Sequence, residues 1–318
     1  MIDKGGSMSV VEVHNVQKRY GNTVAVQDVS LRAETGQVLG ILGRNGAGKT
    51  TTVEMVAGLR IPDRGTVRVR GLDPVKDRAK VRQVLGVQLQ HATMHDSLTG
   101  AELARLYRTF YPQGKDPDDV LDLVGLTEHR NTRFAKLSGG QQQRLSIALA
   151  MIGDPQVLIL DELTTGLDPE ARRQIWALVE SLRAEGVTIL LVSHQMEEVE
   201  RLSDRIAIID SGLVMAEGTS AELIARANLG QRVRFRLGGP LPEGIFDTIP
   251  DVGVDIDGDQ VSVGGTGDLL QQVSTALVHA GVVATETRLE QATLEDAFLS
   301  LTGHGLREES DEEMEVAR

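Results

Sequence analysis

The sequence predicts an α/β protein in two parts, a layered domain around a mixed, largely parallel sheet and a smaller α+β domain behind it. Three observations carry that reading. From about residue 10 to 218, short β-rich runs alternate with helical patterns, as a layered α/β domain requires. A glycine-rich segment, 43–50, lies between an apolar run and a helical pattern, where a phosphate-binding turn sits. After residue 230 the chain changes to alternating strand patterns interleaved with amphipathic helices.

Taken in order, the apolar runs 38–42, 84–89, 157–160, 188–192 and 206–209 are each short enough for one buried strand. Between roughly 91 and 137 the β signal disappears. There Thr99 and Glu102 spell a capping box opening a helix through Phe110, and 116–126 supplies another, so this stretch is expected to be a helical subdomain hung on the sheet. A capping-box helix at 219–227 closes a first domain spanning 9–229. In 230–303 the expected order is strands 233–237, 252–256 and 260–263, helix 267–280, strand 282–288 and helix 293–302. Asp257-Gly258 joins the second and third of those strands. Residues 304–318 are acidic with little to bury, which predicts a disordered tail, and residues 1–8 are left out of the fold reading.

Composition bounds the function. At 318 residues and 41% hydrophobic the chain can bury a full core. Its 33 basic and 46 acidic residues leave a net charge of -13, which offers no general attraction for nucleic acid or anionic lipid. With no cysteine there is no disulfide, thiolate zinc site or thiol catalysis, in keeping with a reducing compartment. No apolar run approaches the ~18 residues of a spanning helix, and the first residues lack the apolar core of a signal peptide, so the chain is not expected to cross a membrane itself.

The chemistry concentrates in two segments. GRNGAGKT satisfies the phosphate-loop pattern: glycines at 43, 46 and 48 let the backbone bend around an anion and aim its N–H groups inward at a helix N-terminus. Gly43, Arg44, Asn45, Gly46, Ala47, Gly48, Lys49, Thr50 and Thr51 are the expected nucleotide contacts, with Lys49 on the β and γ phosphates and Thr50 on Mg²⁺. The second segment, VLILDE at 157–162, ends an apolar strand in two carboxylates, which is costly unless they serve a cation or a water. Asp161 fits Mg²⁺, directly or through water. Glu162, turned the opposite way by strand alternation, fits a general base.

LSGGQ at 137–141, running into QQRLSIALAMIGDPQVLILDELTTGLDP, resembles the signature segment of ATP-binding cassette (ABC) ATPases. Locally, Ser138 can cap a helix while Gly139 and Gly140 bare backbone N–H groups. The resemblance implies that Ser138, Gly139, Gly140 and Gln141 close on the ATP of a facing cassette, so that two chains sandwich two nucleotides, most simply as a homodimer. Asp168 would join the two sites; as a plain local feature it is a helix N-cap before Pro169. Gln90 matches the family's glutamine that meets Mg²⁺ or the attacking water, with Gln88 the competing choice. His194, at the end of TILLVSH, matches the histidine that reads the γ-phosphate, and Tyr20 matches the aromatic that stacks on adenine. An isolated strand-end histidine is more often structural, and a tyrosine in a polar loop can simply cover a sheet edge. Leu163 stands where the family usually has proline, which makes the loop less rigid while leaving both acids in place.

The closing segment TRLEQATLEDAFLSLTG resembles the C-terminal domain of bacterial drug-exporter ATPases of the daunorubicin-resistance type. That implies an ATP-hydrolysing subunit peripheral on the cytoplasmic face of the membrane, driving efflux of a drug, antibiotic or lipid through separate permease subunits. The competing reading is a soluble ABC ATPase acting on ribosomes or nucleic acid; such proteins usually carry two cassettes or long coiled coils, and neither is present in this chain. In a third reading the C-terminal domain is a regulatory or dimerising module.

Overall fold

The computed structural model describes residues 9–89, 94–227, 230–239, 241–242, 244–250, 252–265, 267–290 and 292–303. They form two compact units, one ending at Thr219 and the other beginning at Ser220.

In chain order the first unit contains β1 (Ser9–Tyr20), β2 (Thr23–Glu34), β3 (Val38–Leu42), α1 (Lys49–Val56), β4 (Arg64–Val69), α2 (Arg78–Val81), β5 (Leu85–Gln88), α3 (Gly100–Arg108), α4 (Pro117–Leu123) and α5 (Gly139–Met151). Then follow β6 (Val157–Asp161), α6 (Pro169–Ala184), β7 (Thr188–Ser193), α7 (Met196–Leu202), β8 (Arg205–Asp210) and β9 (Leu213–Gly218). Nine strands form one mixed sheet in the order β4-β1-β2-β9-β8-β3-β7-β6-β5. The run β8-β3-β7-β6-β5 is parallel throughout, whereas β1 pairs antiparallel with both β2 and β4, and β9 antiparallel with β8. The five apolar runs are strands as expected. The strands β1, β2, β4 and β9 carry no such run because one of their faces is partly solvated; β2 alternates buried Val29, Leu31 and Ala33 with exposed Ser30 and Arg32.

The central strands separate two apolar clusters, as period-two alternation dictates. Leu158, Leu160, Ile189 and Leu191 join the cluster formed by the helical subdomain, α5 and α6, while Val157, Ile159, Leu190 and Val192 join the one under α1 and the antiparallel strands. Both faces are covered, so β3, β6 and β7 read as unbroken apolar runs. Parallel register sets Leu42 beside Ser193 and Asp161 beside Val192, which delivers the residues that follow all three strands to one edge of the sheet.

The second unit contains α8 (Ser220–Arg226), β10 (Gln231–Leu237), β11 (Gly253–Asp257), β12 (Gln260–Gly265), α9 (Leu269–His279), β13 (Ala284–Glu290) and α10 (Leu294–Thr302). Its antiparallel sheet runs β11-β12-β10-β13, with Val233, Phe235, Val261 and Val263 packed against Leu269, Val273 and Leu277 of α9. The β11-β12 hairpin turns at Gly258, whose φ of 62° suits a residue without Cβ. α8 lies within this unit and packs on α10.

Candidate active site

The loop after β3 is shaped by contacts that exclude side chains. A Cβ on Gly43 would fall 2.2 Å from the Ile209 carbonyl oxygen, and one on Gly48, held at φ 98°, 2.4 Å from that of Ala25. Gly46, at φ 77°, faces open space, as the concave side of an anion cradle must. Gly48 is the N-cap of α1 and gives its first turn no side-chain partner, so those N–H groups point at the cradle. The Ala47 amide donates to Arg44 at 3.2 Å, and Asn45 is exposed. Lys49 folds back over the loop, its Nζ donating to the carbonyls of Gly43 and Arg44 at 2.8 Å each. Burial pushes the Lys49 ammonium below its ordinary pKa, against the fields of Glu162 and Asp161. Thr50 is exposed and Thr51 half-buried.

Asp161 is fully buried at the end of β6, and neither carboxylate oxygen has a protein hydrogen bond of ordinary geometry. Burial, reinforced by Glu162, raises its pKa from 3.8 to about 6 against the Thr50 hydroxyl and Lys49. Glu162 is turned by a different cause than the one the strand pattern suggests: β6 stops at Asp161, and Glu162 enters the left-handed region at φ 56°. Its Oε2 lies 2.6 Å from His194 Nδ1 and accepts from the Thr165 hydroxyl at 2.9 Å. Burial works to raise the Glu162 pKa, but His194, Thr165 and Lys49 outweigh it and hold the carboxyl below the ordinary range; the same contact raises the pKa of His194. Lys49, Asp161, Glu162 and His194 are therefore one electrostatic cluster at the sheet edge.

The remaining expected residues lie around it. Tyr20 ends β1 at the hairpin turn rather than standing in a loop, 41% exposed, with Lys18 Nζ and Arg60 Cζ each 5.7 Å from the ring centroid. Gln90 falls outside the described residues. Gln88 is buried, its Oε1 accepting from the Asp161 amide at 3.1 Å. Ser138 caps α5 in a reciprocal capping box, with Gln141 N donating to its Oγ at 3.3 Å and its own N donating to Gln141 Oε1 at 2.9 Å. Gly139 and Gly140 pack on Leu167 and Ala171, and a Cβ on Gly140 would sit 2.9 Å from that of Ala171. Asp168 caps α6, accepting from Glu170 and Ala171 at 2.9 Å each. The Ser138–Gln141 turn and the Asp168 cap thus form a second set, packed on one another.

A model of the ABC transporter family matches residues 26–165. The daunorubicin resistance ATP-binding protein DrrA3 of Streptomyces coeruleorubidus is 36% identical over 94% of this chain and 98% of its own length. The chain belongs to the ABC transporter ATPases. The linearmycin resistance ATP-binding protein LnrL of Bacillus subtilis is 32% identical over 94% of the chain, and a Nod factor export ATP-binding protein I of Paraburkholderia xenovorans 35% over 94%. Among solved structures, a dimeric ATP-binding cassette in a post-hydrolysis state with ADP and Pi is 25% identical, covers 66% of this chain and 98% of its own, and superposes with a TM-score of 0.59. As an ABC ATPase the protein binds nucleotide and hydrolyses ATP, and none of its described helices is long and apolar enough to cross a membrane.

Of three further polar residues of this ABC ATPase, Thr165 and Glu198 had no role by motif, and Gln88 stood only as the alternative to Gln90. Gln88 and Thr165 serve Asp161 and Glu162 directly. The third, Glu198 on α7, is fully buried, with Trp176 Nε1 donating to it at 3.3 Å. Burial raises its pKa against the hydroxyls of Ser193 and Thr164 and the indole. A sequence signal exists for Gln88 alone, a glutamine interrupting an apolar strand pattern.

Proposed function

We propose that this chain is the ATP-hydrolysing subunit of an exporter, that two copies close face to face over two ATP–Mg²⁺ complexes, and that separate integral-membrane permease subunits carry the cargo. The cargo class is a drug, antibiotic or lipid, in keeping with relatives named for daunorubicin and linearmycin resistance and for Nod factor export. The chain works from the cytoplasmic face of the membrane.

The observation that carries the reading is the split of the site into two sets. Lys49, Asp161, Glu162 and His194 gather on one sheet edge, while Ser138–Gln141 presents a separate helix N-terminus of the kind that binds an anion. Residues Gly43–Thr51 cradle the phosphates, and Lys49 exchanges the carbonyls of Gly43 and Arg44 for phosphate oxygens, a stronger charge-assisted contact. Two buried carboxylate oxygens with no hydrogen bond of ordinary geometry, beside the Thr50 hydroxyl, fit a hard cation, so Thr50 and Asp161, with Gln90, are the residues that would hold Mg²⁺. A metal ion held there would supply positive charge to offset the negative charge that develops on the phosphate.

Glu162, kept ionised, takes a proton from the attacking water as the bond between the γ-phosphorus and the leaving oxygen breaks. His194 separates from Glu162 to donate to the γ-phosphate, and the half-exposed ring of Tyr20 stacks on adenine. Ser138, Gly139, Gly140 and Gln141 of one copy meet the γ-phosphate held by the other, with Asp168 at the junction.

An apolar groove of about 570 Å³ between the sheet and the helical subdomain, lined by Val87, Met94, Tyr107, Phe110 and Leu149, suits a permease segment; Phe110 is 63% exposed there. Purification of the tagged chain from membranes tests the proposal. A multi-spanning protein should copurify and be lost on Phe110→Asp; recovery of ribosomes instead would overturn the exporter reading.

A further inference from the structure

Gln88 is the last residue of β5 and pairs with Leu160, and the next amide of β6, that of Asp161, is met on the β5 side by the side chain of Gln88. Its Oε1 accepts from Asp161 N at 3.1 Å and its Nε2 donates to the Leu89 carbonyl at 3.0 Å, so the amide is anchored on both sides. Gln88 is 4% exposed and Asp161 0%, which leaves no water to replace the bond. The same side chain forms part of the wall of the apolar groove, so one hydrogen bond runs from the groove to the backbone of the buried acid.

We propose that Gln88 is a positioning residue for Asp161, fixing the end of β6 so that the carboxylate meets Mg²⁺ beside Thr50. This rests on the assignment of Asp161 to Mg²⁺ given above. Aliphatic residues fit the space but cannot accept from the Asp161 amide. Losing this buried acceptor loosens the hold on the end of β6, and the carboxylate shifts with it.

The experiment measures ATP affinity by calorimetry for the full chain with EDTA and with Mg²⁺, alongside thermal unfolding without nucleotide. In the parent, Mg²⁺ should tighten ATP binding. In Gln88→Met the affinity in EDTA should be unchanged while the tightening by Mg²⁺ falls roughly tenfold, the weight of one buried hydrogen bond. Gln88→Asn, whose amide is one methylene too short, should behave like Gln88→Met, and unchanged affinity in EDTA certifies the fold of each variant. Asp161→Asn separates the two claims. If Asp161→Asn keeps the full Mg²⁺ effect, the metal assignment fails; if it loses the effect while Gln88→Met and Gln88→Asn keep it, the positioning role of Gln88 is overturned.

Discussion

Asp161 is kept at a cost that can be measured by removing its charge. The carboxylate is fully buried with no hydrogen bond of ordinary geometry, and its pKa is raised from 3.8 to about 6. That difference corresponds to about 3 kcal/mol against the ionised form in the folded protein. Because the folded-state pKa lies above the unfolded one, the favourable contribution is complete below 3.8 and is lost as pH rises through about 6. Asp161→Asn should therefore stabilise the nucleotide- and metal-free protein by about 1–3 kcal/mol near pH 7.5, the lower figure allowing for amide hydrogens that lack acceptors, and by less than half as much near pH 4.5. The assay is urea unfolding in EDTA followed by tryptophan fluorescence. Trp176, the chain's one tryptophan, is buried in α6, so the signal reports the first unit alone. A variant no more stable than the parent near neutrality, or an advantage that does not shrink in acid, would refute the burial argument.

Glu162→Gln should lower ATP turnover by about 10²–10⁴ while leaving ATP affinity within a few-fold, checked by steady-state hydrolysis and calorimetry. Tyr20→Ala should weaken ATP binding by roughly 1–3 kcal/mol and Tyr20→Phe far less, since stacking needs only the ring; equal losses in a binding titration would contradict the adenine assignment. Leu163→Pro disfavours the left-handed conformation of Glu162 and should pull its carboxylate from His194, lowering the His194 pKa seen by NMR; an unchanged titration would show that the 2.6 Å contact does not depend on the turn.

The central sheet and the phosphate loop were legible because their physics is local. Continuous apolar runs mark strands covered on both faces, and glycines at 43, 46 and 48 mark a turn with no room for Cβ or none needed. The half-solvated strands β1, β2, β4 and β9 were not, since their alternation of buried and exposed residues lacks an apolar run and β1 is further broken by register shifts. Glu162 was identified as the acid beside Asp161, but its orientation follows from a φ of 56° that becomes available with Leu163 and not from strand alternation. The cap at Asp168 and the capping box at Ser138 are the local readings of those residues, and the structure of a single chain realises both. Gln88 shows the limit most clearly: its importance lies in where β5 stops relative to β6, a matter of strand register.

The decisive claim is that each nucleotide is enclosed by residues of two chains. Sedimentation of Glu162→Gln with ATP and Mg²⁺ should give a dimer that dissociates when ATP is withdrawn. Adding Ser138→Arg, which places a bulky cation at the α5 N-terminus, should return the protein to monomers that still bind one ATP each. A dimer that persists in the double variant, or hydrolysis at the parental rate in Ser138→Arg alone, would contradict it.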